Sequence, residues 1–270
     1  MTKVSVIIPL YNSARFLPSL FENIAQQTIA ADCEFVFIDD HGSDSSLATA
    51  RSLAASTPLK CIFGATEANG GPGAARNDGL KMAGGEYVAF LDSDDTIDAS
   101  FCEKLYNAAS SCDADLAYCH ILAVKDSGST VWRNPLVESG GFTRDKKVYF
   151  LRKYQSYFTT FVYRRRFLEE NGICFPPTRS AEDSCFLASA LLSAGRIAVV
   201  DEALYHYRLH TDSLSRRHDT GRSRQRRSSF DALIAFARQR GHYHDFRCVL
   251  DWIYFKKAIL GSIRDCIKSI

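Results

Sequence analysis

The chain has 270 residues, 46% of them apolar and 12% aromatic, enough to bury one sizeable α/β core with an appendage. Lys+Arg and Asp+Glu number 33 and 31, so no overall field argues for nucleic acid or an acidic partner, and any charge signal must be local. Nine cysteines do not make a disulfide scaffold here: the number is odd, no pair has C-x-x-C spacing, and Cys33, Cys61, Cys119 and Cys185 sit in apolar segments as reduced core residues. Met1-Thr2-Lys3-Val4 runs straight into a strand-like segment without a signal-peptide pattern, which predicts a cytosolic location. Asp251, Lys256 and Lys257 interrupt the best apolar run, so none reaches the ~18 residues of a membrane span.

Val4-Ser5-Val6-Ile7-Ile8 reads as a short strand, and Phe16, Leu17, Leu20, Phe21 and Ile24 follow at helical spacing. The alternation repeats: Glu34 to Ile38 before a helix over Ser45–Ala55, then Cys61 to Phe63 before a helix over Ala74–Met82, then Tyr87 to Leu91. Such alternation predicts parallel pairing through crossover helices, with both sheet faces covered and ligands at the carboxyl ends of strands. Three polar clusters fall on that edge: Tyr11-Asn12, Asp39 to Ser43, and Asp92-Ser93-Asp94-Asp95. Beyond residue 110 the pattern loosens, with strands expected over Leu116–Val124, Thr160–Tyr163 and Ala203–Arg208 and a helix over Asp183–Ala194. Arg216 to Arg227 is basic, Ser-rich and without apolar periodicity, and reads as a linker before one or two terminal helices.

Asp92-x-Asp94 stands where a loop opens at the sheet edge, and hard carboxylate oxygens there suit Mn²⁺ or Mg²⁺ shared with substrate phosphates. The plain alternative is a turn and a cap for the helix near Phe101. Asp39-Asp40 offers acceptors to a nucleobase or simply turns the chain. Gly70-Gly71-Pro72-Gly73 leads into a helix start where Arg76 can meet negative charge, but it matches neither the phosphate loop nor the dinucleotide fingerprint. Ser180-Ala181-Glu182-Asp183 reads as a capping box or, with Asp183 one turn before Leu187 on the inward face, as a carboxylate aimed at a cleft. In Tyr205 to Arg208 the tyrosines share one face of a strand and His206 and Arg208 the other.

Taken in order and spacing, Val4 to Asn12, Ile38 to Asp44, Ala75-Arg76-Asn77-x-Gly79 and Gly85 to Asp95 closely resemble family 2 glycosyltransferases of the GT-A fold, densely over about the first hundred residues and thinly to about Ser215. His41 departs from the Gly that often follows the Asp pair. The resemblance implies an α/β GT-A fold, a mainly parallel sheet with helices on both faces plus C-terminal helices. It divides the chain into a domain over 1–215, with a nucleotide-sugar half (1–110) and an acceptor half (111–215), and a basic linker and helical extension over 216–270. It further implies a UDP-sugar donor, with Pro9, Tyr11 and Asp40 around the uracil, Arg76 near the nucleotide, and Asp92 and Ser93 on the donor. Asp94 would hold the metal and Asp183 act as general base, with His210 as a further metal ligand and Arg208 and Ser213 on the diphosphate. The expected enzyme is a metal-dependent, inverting hexosyl- or N-acetylhexosaminyltransferase acting on a glycan or lipid-linked acceptor in bacterial surface polysaccharide synthesis. A metal-dependent nucleotidyltransferase and a non-catalytic sugar-nucleotide or glycan-binding module are the alternatives. The apolar residues Phe246, Leu250, Trp252, Phe255, Ile259 and Leu260 are expected to pack on the core, on a second subunit of a homodimer, or on the inner face of an anionic membrane.

Overall fold

The computed structural model describes residues 1–125, 128–153, 155–209 and 221–261. Strand β1 (Val4–Leu10) pairs in parallel with β2 (Cys33–Asp39) on one side and β4 (Tyr87–Phe90) on the other, and β2 pairs in parallel with β3 (Cys61–Ala65). The helices between them are α1 (Leu17–Ala25), α2 (Ser46–Ala54) and α3 (Pro72–Met82). Beyond β4 come β5 (Thr96–Ile97), α4 (Phe101–Ser111), β6 (Leu116–Lys125), β7 (Gly128–Trp132), β8 (Gly140–Gly141) and α5 (Arg144–Lys153). They are followed by β9 (Phe161–Arg164), α6 (Arg165–Asn171), α7 (Glu182–Ser193), β10 (Arg196–Arg208), α8 (Arg222–Gln239) and α9 (His242–Ile253). The sheet order is β3-β2-β1-β4-β9-β6-β10-β5, with β9 antiparallel to both neighbours and β6 and β10 parallel.

The central strands are apolar on both faces because both are covered. Val4, Val6, Ile8 and Leu10 face a core with Leu17, Leu20, Phe21 and Ile24 of α1, while Ile7, Val36 and Ile38 face the opposite core built on α3 and α7. That two-sided burial is what a parallel sheet with crossover helices requires. Helix α3 lies so close to β1 that a Cβ on Gly79 would stand 2.4 Å from Cγ2 of Ile7, so only glycine fits there.

Several expected boundaries move. Helix α3 starts at Pro72, because proline lacks the N–H that a first turn leaves unbonded anyway. Strand β10 begins at Arg196, before the expected Ala203, and carries register shifts between Val199 and Tyr205. Arg222 to Arg227, expected as linker, form the first turns of α8; arginine is a strong helix former, and the buried Ser229 and Phe230 anchor them. Arg216 and Arg217 lie outside the described residues. Cys33, Cys119 and Cys185 are buried and free, while Cys61 is only half-buried.

Helix α7 is buried nearly all round, from Ser184 to Leu192, rather than along one stripe. The reason is α8 and α9: Phe230, Leu233, Phe246, Val249, Leu250 and Ile253 join the same core as Phe186 and Leu187. The C-terminal apolar set therefore divides. Phe246 and Leu250 are inside, whereas Trp252, Phe255 and Leu260 are exposed. Among the described residues, no helix is long and apolar enough to cross a membrane.

Candidate active site

Parallel pairing brings the carboxyl ends of β1, β2 and β4 to one edge, and short polar side chains tie their loops together. Asn12, in the left-handed region at φ 52°, accepts from the Ser43 amide at 2.7 Å. Ser13 Oγ and Ser93 Oγ are 2.7 Å apart, joining the loop after β1 to the loop after β4. His41 also has positive φ, 54°, which explains why glycine suits this position. Its Nε2 lies 2.6 Å from the Thr66 carbonyl oxygen, a contact that offsets the backbone strain. Pro9 is partly exposed at the end of β1, and Tyr11 is exposed beyond it.

Asp40, expected against a nucleobase, is buried and serves its own neighbourhood. Its carboxylate accepts from the amides of Gly70 and Gly71, both at 2.8 Å, and from Thr66 Oγ1 at 3.2 Å. It fixes the glycine loop in front of α3. Gly71 has φ 84°, and a Cβ there would crowd the Arg179 side chain at 3.0 Å. Arg179 in turn donates to the Asn69 side chain at 2.6 Å, coupling this loop to the segment that leads into α7.

The loop after β4 turns through Asp95 N to Asp92 O, 3.1 Å. None of its acids caps α4, whose N-cap is Ser100; Asp98 holds that residue instead. Asp95 is buried, accepts from the Tyr205 hydroxyl at 2.7 Å and the Arg208 amide at 2.9 Å, and so ties the loop to the end of β10. Burial, and then the charges of Asp92 and Asp94, push its carboxyl well above the usual range. Tyr205 is buried and Arg208 exposed, in keeping with the alternation expected along β10. His210 and Ser213 lie outside the described residues.

Arg76 connects the two halves. Its side chain is 6% exposed, donates from Nη2 to Asp92 Oδ1 at 2.7 Å, and places Nη1 3.8 Å from Glu182 Oε1. The guanidinium stacks 4.5 Å over Phe158 and 5.5 Å from Phe175, rings that pack with Phe90 and Phe186 in the core beneath. Its Nε is buried and has no partner among the described residues. Glu182 and Asp183 open α7, and no capping box forms: the N-cap is Ala181, at φ 62°, with no side-chain cap. A non-glycine residue in this region costs about 1–3 kcal/mol and is held by its surroundings, here by Ser229 donating to the Ser180 carbonyl at 2.7 Å and by Arg179 N donating to Gln225 at 2.9 Å. Burial raises Asp183, opposed by a hydrogen bond from the Ser184 amide and by Arg76. Burial, with Asp183's charge next, pushes Glu182 up to about 7.

Residues 5–172 match the family described as glycosyl transferase family 2. The chain belongs to glycosyltransferase family 2. This family 2 chain is 34% identical over 213 residues to the poly(ribitol-phosphate) beta-N-acetylglucosaminyltransferase TarS of Staphylococcus aureus, covering 77% of the chain and 35% of TarS. It is 28% identical over 255 residues to the putative glycosyltransferase EpsH of Bacillus subtilis, covering 92% and 73%. The crystal structure of S. aureus TarS 1-349 in complex with UDP superposes with a TM-score of 0.74 at 26% identity, covering 94% of this chain and 72% of that one. The family 2 chain thus spans only about a third of full-length TarS. Its architecture is the GT-A fold.

The structure brings Tyr11, Asp40, Arg76, Asp92, Ser93 and Asp183 to one edge of this fold, through contacts that pattern alone did not reveal. Glu182 and Asp95 were visible in the quoted motifs only as acids beside the residues given a role. Arg179, Gln225 and Ser229 carry no local signal; only the seating of α8 against α7 gives them a role.

Proposed function

We propose that this chain is an inverting glycosyltransferase that moves a hexosyl or N-acetylhexosaminyl unit from a UDP-sugar to a hydroxyl of a glycan or lipid-linked acceptor in bacterial surface polysaccharide synthesis. The observation that carries this reading is Arg76, which holds Asp92 of the donor-side loop and Glu182, next to Asp183, with one buried guanidinium. Its Nε, without a partner among the described residues, is a buried donor of the kind a bound ligand satisfies.

Asp183 takes the proton of the acceptor hydroxyl as that oxygen bonds to the anomeric carbon and the bond to the UDP phosphate oxygen breaks. Attack opposite the leaving group converts an α-linked donor into a β-linked product. Arg76 keeps Asp92 oriented toward the ribose, and Asp40 holds the glycine loop that, with Pro9 and Tyr11, borders the nucleotide. Arg208 is offered to the diphosphate.

The residues after β4 fit a divalent ion. Such an ion takes one or two carboxylates from the protein when phosphates complete its shell, and the mutual repulsion of Asp92, Asp94 and Asp95 is relieved by a cation. Among the described residues no group of three or more His, Cys, Asp or Glu could hold a metal, so the ion's remaining ligands would have to come from the substrate. Asp94 would hold Mn²⁺ or Mg²⁺, which supplies positive charge to the leaving diphosphate.

The exposed Trp252, Phe255 and Leu260, with Lys256 over the Trp252 ring at 4.6 Å, form an amphipathic edge suited to the membrane surface where a lipid-linked acceptor resides. Sedimentation with anionic vesicles should fall on Trp252→Ala/Phe255→Ala; unchanged binding removes the membrane contact, and a dimer lost in that variant assigns the edge to a second subunit. For the reaction itself, Asp183→Asn should keep UDP binding and lose transfer, and near-normal turnover refutes the proposed base.

A further inference from the structure

Helix α9 buries Phe246, Val249, Leu250 and Ile253 at helical spacing, and its continuation, Tyr254–Ile259, is a π-helical turn. The wider turn admits one extra residue, so that Ala258 becomes the fully buried position and Lys257 is set beside it, only partly exposed. Lys256, its neighbour, points to solvent over Trp252. An ammonium half-withdrawn from water needs acceptors, and Lys257 Nζ donates to Ser156 Oγ at 3.1 Å. Ser156 Oγ is in contact with Ser184 Oγ, and the Ser184 amide donates to Asp183 Oδ1 at 2.6 Å. An ammonium only donates, so Ser156 Oγ accepts from Lys257, and either hydroxyl of the Ser156–Ser184 pair can donate to the other. The chain crosses from the C-terminal helices to the first turn of α7, and of its members only Ser156 lies within the residues that match the family.

We propose that Lys257 is a positioning residue for the general base: it is a second counter-cation of Asp183, beside Arg76, and orients the first turn of α7 through the Ser156–Ser184 pair. This deepens the proposed reaction and rests on Asp183 being its base. The titratable and charged groups about Asp183 are Glu182 and the Cys185 thiol on α7, Arg76 from α3, Asp92 from the loop after β4, and Lys257; behind Lys257 stand its neighbour Lys256 and, on α8, Arg226. Burial raises Asp183, and Arg76 and then Lys257 pull it back; burial in turn brings Lys257 down to about 8, with Asp183 opposing. Removing Lys257 leaves Arg76 as the remaining cation that favours the charged form and lets the base protonate at higher pH.

The test is the pH profile of kcat/KM for sugar transfer by the full chain carrying Lys257→Met, with Lys257→Arg as rescue. The acidic limb should move up by about one pH unit, with a roughly tenfold loss below it that recovers above it, while UDP affinity is unchanged and Lys257→Arg restores the limb. A limb left in place, with any loss uniform across pH, overturns the proposal. Ser156→Ala, which breaks the chain and spares the cation, should shift the limb the same way by less, and it decides the matter if Lys257→Met does not fold. Turnover retained by Asp183→Asn refutes the base itself; turnover lost there, with an unmoved limb in the lysine variant, refutes only the role of Lys257.

Discussion

Replacing Arg76 by methionine keeps the length and apolar contacts of the side chain but removes the charge between two acidic elements. At pH 8 the variant leaves Asp92 without its 2.7 Å donor and removes the cation paired with Glu182, which also lowers Asp183. Removing one partner of a buried pair costs about 3–5 kcal/mol. Asp92 is 34% exposed and water recovers part of its share, whereas Glu182 is 10% exposed and recovers little. Stacking over Phe158 adds ~1 kcal/mol, which methionine partly keeps. The expected loss is therefore about 3 kcal/mol, or roughly 6–12 °C in Tm for a chain of this size. The sign of its pH dependence follows from Glu182: with its carboxyl at about 7, it is mostly neutral at pH 5.5 and no longer needs the cation, so the loss should shrink to about half there. Urea unfolding at the two pH values measures both. A loss below ~1 kcal/mol at pH 8, or one identical at pH 5.5, would refute the idea that Arg76 is the electrostatic joint of the site.

Asp94→Ala should weaken metal-dependent UDP binding by calorimetry, on the order of tenfold or more, because it removes the side chain proposed to hold the ion; an unaltered titration counts against the metal role. Glu182→Gln should change how stability depends on pH. A carboxyl raised in the folded state stabilises fully below its unfolded value of 4.5 and loses that contribution as pH rises through about 7. Relative to the glutamine variant, wild-type protein should therefore lose on the order of 3 kcal/mol between pH 4.5 and 8, at about 1.4 kcal/mol per pH unit. A gap that stays constant or moves the other way in denaturant titrations would show that Glu182 is not held above its usual range.

Why the first ninety residues were legible lies in their local code. Val4 to Ile8 and Glu34 to Ile38 are apolar on both faces, and each is followed by turn-forming polar residues; parallel pairing then forces those residues to one edge. Later elements were harder. Strands β5 and β8 have two residues each, too few to show a period, and α5 is largely polar. Arg222 to Arg227 looked like linker because their helix is stabilised by packing begun at Ser229 and Phe230, downstream of the charges.

By itself the sequence determined the strand–helix order, the edge where carboxylates gather, and the family resemblance carried by residues near one another in the chain. Only the tertiary structure decided that Arg76 joins Asp92 to Glu182, that Arg179 meets Asn69, and that α8 and α9 seat the first turn of α7 and bring Lys257 to Ser156. The physical reason is that hydrophobic period records which face of an element is buried. A polar contact between residues separated by 101 or 110 positions depends on how those faces are stacked, and no local pattern encodes it.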